Sequence, residues 1–176
     1  GAYHSFPESI TVVDIGGQDT KVINLDTTGK RVGFKMNRKC SAGTGVFLEE
    51  IARRLEVPLE ELDSVARGSS RAAPLNSYCT VFASTEMLSR IRAGESQEDL
   101  VLGAYESVVG RVVEMTDLHG TIVMTGGVVA HHPIVAELME KATGATVKVP
   151  PEPHLVGALG AALTARSIAN IDDKED

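Results

Sequence analysis

Two apolar runs joined through a pair of glycines constrain the fold of this chain more than any other feature. The run Ile10–Ile15 is apolar and rich in β-branched residues, as in a buried strand, and it ends at Gly16-Gly17. The alternating run Thr20–Leu25 and the run at residues 31–36, with a glycine-containing turn between them, predict two further antiparallel strands. The sequence therefore predicts a β-meander whose first strand is followed by a glycine turn.

Apolar residues at helical spacing follow the meander. They predict helices at about 46–57, 58–66, 80–93, 97–118, 133–141 and 155–168, with short strands at 121–124 and 146–149. Strands followed by helices that can pack over them are typical of an α/β protein with a mixed sheet. We therefore expect one α/β domain over residues 10–169, with an N-terminal extension at 1–9 and a flexible tail at 170–176.

Composition and charge restrict the classes of partner. The 176 residues carry a formal net charge of -7 and no basic patch, which argues against nucleic acid and against an anionic membrane surface. No apolar run reaches the roughly 18 residues of a membrane span, and the N-terminus does not resemble a signal peptide, so we expect a cytoplasmic protein. Two cysteines are too few for a disulfide framework.

The turn after the first predicted strand contains the residue types of a phosphate and magnesium site. Its glycines let backbone N–H groups approach an anion, its amide, hydroxyl and ammonium side chains can donate hydrogen bonds, and its carboxylates can bind Mg²⁺ through water. On these residues alone, an ordinary hairpin turn is an equally good interpretation. The candidate ligand-binding residues of the turn are Asp14, Gly16, Gly17, Gln18, Asp19, Thr20 and Lys21.

A second glycine pair, Gly126-Gly127, follows the predicted strand at residues 121–124 and precedes Val128. Flat purine rings require backbone clearance of the kind that glycines give. Ligands of open α/β sheets bind at the carboxyl ends of strands, so we expect both glycine pairs to face one crevice. A plain strand-to-helix turn explains the motif equally well when it is taken alone. In the last helix, Gly157 and Gly160 indicate close helix packing.

Cys40 and Cys79 each stand shortly before a predicted helix. Helix N-termini favour the thiolate, which is the form that binds metals. An iron–sulfur cluster or a structural zinc usually has four protein ligands, so a cluster on these two residues requires two copies of the chain about a twofold axis. The alternative is a pair of buried, inert cysteines, which is the commoner state of cysteine in a cytosolic core.

Taken in their order along the chain, these segments resemble the family of activators of 2-hydroxyacyl-CoA dehydratases and benzoyl-CoA reductases, the BadF/BadG/BcrA/BcrD family. This family lies within the superfamily of acetate and sugar kinases, heat-shock proteins and actin. The resemblance covers about residues 12–165 and corresponds to the C-terminal half of such proteins. Its most specific segments are residues 14–21, 37–47, 79–83, 125–128 and 156–162.

The resemblance implies an actin-like ATPase half, related to the ribonuclease H fold, in which residues 16–21 form the second phosphate loop and Gly126-Gly127 belong to the adenosine motif. It implies ATP or ADP with Mg²⁺ as ligands. It also implies one [4Fe-4S] cluster held by Cys40 and Cys79 of both subunits of a homodimer. In such proteins an electron from a ferredoxin or flavodoxin passes to the dehydratase or reductase component, gated by ATP binding and hydrolysis.

Two other functions remain open on the sequence. One is a kinase-like or sensor ATPase of the same fold without a cluster, and the other is a non-catalytic half-domain that dimerises or docks on a larger chain. Family members usually begin with another actin-like half that carries a first phosphate loop, and no such segment precedes Ile10. We therefore expect ATPase activity in the complete protein, and weak nucleotide binding with little or no turnover in this chain alone.

Overall fold

A five-stranded mixed sheet forms the centre of the structure, a computed structural model that describes residues 1–37, 44–75, 80–116, 118 and 120–172. The strands lie in the order β3-β2-β1-β4-β5, antiparallel from β1 to β3 and parallel from β1 to β5. The predicted meander is confirmed. The strands are β1 (Ile10–Ile15), β2 (Thr20–Leu25), β3 (Arg31–Asn37), β4 (Thr121–Thr125) and β5 (Val147–Lys148).

Helices lie in the connections between the parallel strands, because a parallel pair needs a crossover that returns the chain to the same end of the sheet. The predicted helices are found, but several boundaries differ. The segment after Pro58 divides into a turn of 3₁₀ helix and a short α-helix, the long helix ends at Met115 because Thr116 is extended, and the last strand has only two residues. The last helix continues to Asp172, beyond its predicted end at residue 168 and into the predicted tail. The helices are α1 (Ala2–Ser5), α2 (Gly45–Leu55), α3 (Leu62–Arg67), α4 (Thr80–Arg92), α5 (Gln97–Met115), α6 (Gly127–His131), α7 (Ile134–Thr143) and α8 (Val156–Asp172), with 3₁₀ turns at Leu59–Glu61 and Pro153–Leu155.

The main core lies between one face of the sheet and helices α2, α3, α5 and α7. The long helix α5 supplies much of it through an apolar face at helical spacing, of which Met115 is only partly buried. Each fully buried aliphatic side chain contributes roughly 1.5–3 kcal/mol to folding. The buried residues of that face are Leu100, Val101, Ala104, Val108 and Val112.

The opposite face of the sheet has a smaller cluster, in which Ala2 of α1 and Val156 of α8 pack on Ile10, Val12 and Val123. Beyond its first residue, α8 is mostly exposed. The close packing expected at its glycines occurs at Gly160, where a Cβ would lie 3.0 Å from the nitrogen of Gly1, while a Cβ at Gly157 would meet no described atom within 4 Å. No helix among the described residues combines the length and apolarity needed to cross a bilayer.

Candidate functional site

Hydrogen bonds and ion pairs close the turn between β1 and β2. The N–H of Gly16 donates to the carbonyl of Asp19 at 2.9 Å. The Nζ of Lys21 lies 2.5 Å from Asp19 Oδ1 and 3.4 Å from Asp14 Oδ1. Antiparallel pairing sets Asp14 directly opposite Lys21, which explains why one ammonium group reaches both carboxylates. Of the predicted anion- and magnesium-binding side chains, those of Asp14, Asp19 and Lys21 therefore form one small cluster, whereas Gln18 is exposed.

The charges of this cluster are held in place by their partners. Partial burial lowers the pKa of Lys21, but its hydrogen bonds and ion pairs with Asp19 and Asp14 outweigh that effect and raise the pKa overall. Asp14 uses its second oxygen to accept a hydrogen bond from Thr125 Oγ1 at 2.8 Å. Asp14 thus joins three strands, because Thr125 ends β4 and Lys21 lies in β2. Thr20, by contrast, is buried at 1% exposure, with its side chain covered by protein.

The second glycine pair lies against the first because Gly126 approaches the backbone of β1. A Cβ on Gly126 would lie 2.4 Å from the carbonyl oxygen of Ile15. The φ angle of Gly126 is 98°, in the region that only glycine adopts readily. Its N–H donates to the carbonyl of Pro153 at 3.0 Å, which fixes the turn from the other side. Both the space and the backbone angle at this position require glycine.

The first turn of α2 forms the third side of the site. The N–H groups of Gly45 and Val46 donate to the carbonyls of Gly16 at 2.9 Å and Gly17 at 2.8 Å. A Cβ on Gly45 would lie 3.1 Å from Gly17 Cα and 3.4 Å from a methyl group of Val128. Gly45 therefore keeps the start of α2 in contact with both glycine loops.

These three segments border one open cavity of about 370 Å³. Of the residues proposed from the sequence, Gly17, Gly127 and Val128 line it, so the expected shared crevice is present. The charged cluster of Asp14, Asp19 and Lys21 belongs to the same glycine turn but does not line the cavity itself. The lining residues are Gly17, Gly45, Glu49, Leu59, Glu60, Gly127, Val128, His131 and His132.

Sequence reasoning missed four polar residues that line the cavity, namely Glu49, Glu60, His131 and His132. A signal for two of them was available. Glu49 stands four residues after Gly45 in α2, and His131 stands four residues after Gly127 in α6. Residues four apart share a helix face, so a glycine at the cavity edge places the next turn of its helix there as well.

His132 is the buried member of this group, at 4% exposure. Its Nδ1 lies 2.9 Å from the hydroxyl oxygen of Tyr105, and the two rings are tilted with centroids 5.6 Å apart. Burial lowers the pKa of His132 and raises the pKa of Tyr105, so both side chains are neutral near pH 7. Tyr105 is itself fully buried in α5, which fixes the imidazole from the core side.

The two cysteines proposed as cluster ligands, Cys40 and Cys79, lie outside the described residues. The helices that follow them are described: α4 begins at Thr80, directly after Cys79, and α2 begins at Gly45. Within the described part of the chain, no three His, Cys, Asp or Glu residues are grouped so that they could hold a metal ion. The ligand role of the cysteines stays a prediction from the sequence.

Comparison with protein families accounts for this arrangement. The model of the BadF/BadG/BcrA/BcrD ATPase family matches residues 1–165. The chain belongs to this family. The resemblance inferred from the glycine and cysteine motifs is thereby confirmed, and the match includes all the segments that border the cavity.

Two similar proteins are named as dehydratase activators and a third as a reductase subunit. The 2-hydroxyisocaproyl-CoA dehydratase activator of Clostridioides difficile is 41% identical over 178 residues, which cover 99% of this chain and 66% of the relative. The (R)-2-hydroxyglutaryl-CoA dehydratase activating ATPase of Acidaminococcus fermentans is 40% identical, covering 94% and 64%. One of the benzoyl-CoA reductase subunits of Thauera aromatica is 30% identical, covering 93% and 61%. The chain thus spans roughly two thirds of the length of these relatives.

Solved structures confirm the fold. The activator of the 2-hydroxyisocaproyl-CoA dehydratase from Clostridium difficile with bound ADPNP matches with a TM-score of 0.90 at 39% identity, covering 99% of this chain and 66% of that one. MreB 5 of Spiroplasma citri bound to AMPPNP matches with a TM-score of 0.50 at 13% identity, covering 98% of this chain and 57% of that one, and shows the fold alone. The actin-like ATPase fold expected from the sequence is therefore confirmed.

Proposed function

We propose that this chain is the nucleotide-binding part of an ATP-dependent activator of a 2-hydroxyacyl-CoA dehydratase or benzoyl-CoA reductase. The observation that carries the proposal is the cavity bordered by Gly17, Gly45 and Gly127, because a glycine from each of three backbone segments faces one ligand-sized space. A dehydratase activator whose structure contains ADPNP matches 99% of this chain with a TM-score of 0.90, which supports an adenine nucleotide as the ligand.

The nucleoside lies in the cavity, where Val128 and Leu59 offer apolar contact and the glycines leave room for a flat ring. The phosphates lie toward the turn between β1 and β2, where backbone N–H groups and Lys21 can donate. Mg²⁺ prefers carboxylate and water oxygens, so Asp14 and Asp19 fit it chemically. Lys21 would then donate to phosphate oxygens in place of its two carboxylates, and Asp19 and Asp14 Oδ1 would hold the cation through water, while Asp14 Oδ2 accepts from Thr125.

The same proposal includes a [4Fe-4S] cluster shared between two copies of the chain, each of which supplies Cys40 and Cys79. Four thiolates are the usual ligand set of such a cluster, and one chain contains only two cysteines. The cluster supplies a one-electron carrier, with a ferredoxin or flavodoxin as donor and the dehydratase or reductase component as acceptor.

Nucleotide binding is tested by placing a side chain in the cavity. A Cβ on Gly127 meets no described atom within 4 Å, so Gly127→Leu is expected to fold normally while its side chain occupies ligand space. We expect the dissociation constant for MgADP, measured by titration calorimetry, to rise at least about tenfold, or 1.4 kcal/mol. Gly110→Leu is the matched control, because Gly110 has equal space in α5 away from the cavity. Equal affinity in both variants would refute the site.

The cluster is tested by anaerobic reconstitution with iron and sulfide. We expect about two iron atoms per chain and absorbance near 400 nm in the parent protein. Cys40→Ala and Cys79→Ala are each expected to abolish both signals while MgADP binding is retained. Unchanged iron content in either variant would leave the kinase-like or sensor ATPase without a cluster as the better assignment. ATP turnover in the same samples tests the expectation that this chain alone hydrolyses ATP very slowly.

A further inference from the structure

The proposed nucleotide cavity contains one buried polar group to which no function has been assigned, the imidazole of His132. The ring is 4% exposed, yet it lines the cavity. Nδ1 faces Tyr105 at 2.9 Å, and Nε2 has no hydrogen-bond partner among the described residues. Among the described residues, Asn24 Oδ1 is the one side-chain nitrogen or oxygen atom that is both fully enclosed and without a hydrogen-bond partner. His132 Nε2 also lacks a partner among them, so it is not fully enclosed. Nε2 is therefore the nitrogen that a ligand can reach.

Tyr105 determines which tautomer His132 adopts. The tyrosine is fully buried, and the only hydrogen-bond partner of its hydroxyl within the described residues is His132 Nδ1. A buried hydroxyl that does not donate its proton loses a hydrogen bond without compensation. The O–H of Tyr105 therefore donates to Nδ1, which must be unprotonated to accept, and in a neutral imidazole the proton is then on Nε2.

We infer that His132 presents a fixed Nε2–H donor to the nucleotide cavity, that this donor binds a ring nitrogen of the purine base, and that Tyr105 is the positioning residue that sets the tautomer. The inference rests on the proposed nucleotide site and adds a recognition contact to it. A purine ring nitrogen is a suitable partner because it accepts one hydrogen bond, fits beside the apolar wall formed by Val128 and Leu59, and carries no charge that would be costly to bury.

Other groups around the imidazole are consistent with a neutral donor. Asp63 is near both His132 and Tyr105, but its two oxygens are already used by the N–H of Ile134 at 2.8 Å and by Arg67 Nε at 2.6 Å. Neither carboxylate oxygen is hydrogen-bonded to the imidazole. The Nε2–H group is left for whatever occupies the cavity.

The tautomer can be read without any ligand. Nitrogen-15 NMR of the imidazole side chains in the nucleotide-free protein is expected to show Nε2–H for His132. In Tyr105→Phe the hydroxyl that holds this tautomer is absent, so we expect the Nδ1–H form to appear. Tyr3→Phe is the matched control, because Tyr3 donates its hydroxyl proton to an exposed carbonyl, that of Thr27. An Nδ1–H tautomer in the parent protein would overturn the inference.

The ligand contact is tested with ADP analogues that each lack one ring nitrogen, namely 1-deaza-, 3-deaza- and 7-deaza-ADP. We expect one of the three to bind the parent protein about threefold to tenfold more weakly than ADP, the loss of one neutral hydrogen bond. The double variant His132→Phe with Tyr105→Phe replaces both hydrogen-bonding partners by apolar rings of similar shape, which preserves folding. In that variant we expect this analogue and ADP to bind with equal affinity.

The outcomes separate the two proposals. No binding of ADP to the parent protein would refute the nucleotide site itself, whatever the tautomer. If ADP binds normally but all three analogues bind as tightly as ADP, the contact from His132 is refuted and the nucleotide site stands. The same conclusion follows if the weakened analogue is equally weak in the double variant. A melting temperature of the double variant close to that of the parent protein is the required check on folding.

Discussion

Replacing Gly126 by alanine is expected to destabilise the protein by about 2–6 kcal/mol. About 1–3 kcal/mol comes from forcing a residue with a Cβ into a backbone region, here at φ 98° and ψ 171°, that is essentially restricted to glycine. A further 1–3 kcal/mol, approximately, comes from overpacking, because the Cβ would lie 2.4 Å from the carbonyl oxygen of Ile15, which is backbone and cannot turn aside. Domains have only about 5–15 kcal/mol of stability, so this loss is large.

The measurement is urea unfolding followed by circular dichroism, with Gly144→Ala as the matched control. Gly144 also has a positive φ angle, of 67°, but a Cβ there meets no described atom within 4 Å. The control measures the cost of a positive φ angle without steric contact, about 1–2 kcal/mol. A larger loss in Gly126→Ala reports the steric contact between the glycine loop and β1 together with the more restricted backbone region of Gly126. If Gly126→Ala were no more destabilising than Gly144→Ala, the close packing of the two loops would be wrong.

Two further outcomes concern groups around the cavity. Burial lowers the pKa of His132, so the unfolded chain takes up a proton at higher pH than the folded chain does. The contribution of His132 to stability is therefore fully present above about pH 6.5 and is lost as the pH falls through the lower pKa of the folded state. Urea midpoints from pH 7.5 to 5 should show a shallower fall in the double variant at His132 and Tyr105. Asp63→Ala removes the acceptor for the N–H of Ile134 and is expected to cost about 1–2 kcal/mol, whereas Asp63→Asn retains an oxygen there and should cost less in the same assay.

The sequence predicts the meander and the main helices well because their signals are local. The apolar alternation at Thr20–Leu25 and the glycines at Gly16-Gly17 define strands and a turn without reference to the rest of the chain. The apolar face of α5 is set by helical spacing in the same way. The two glycine pairs could also be assigned to one crevice, since strand ends meet at one edge of an α/β sheet.

The rest of the site depends on contacts between residues that are distant in sequence. Gly45 belongs to it because its N–H reaches the carbonyl of Gly16 and its Cα passes close to Gly17. His132 belongs to it because Tyr105, 27 residues earlier, holds the ring. Neither contact has a local signature. The spacing of Gly160 likewise indicates a close approach without showing that its neighbour is Gly1.

The two hydrogen bonds from α2 to the glycine turn connect this turn directly to the start of the helix. A ligand that displaces the turn must either break the bonds from Gly45 and Val46, at about 0.5–1.5 kcal/mol each, or move the first turn of α2 with it. The helix has 11 residues and is about 16 Å long, so a small rotation at its start is amplified at its far end. Displacement of the glycine turn and movement of α2 are then thermodynamically coupled, and a ligand that favours one favours the other by the same factor.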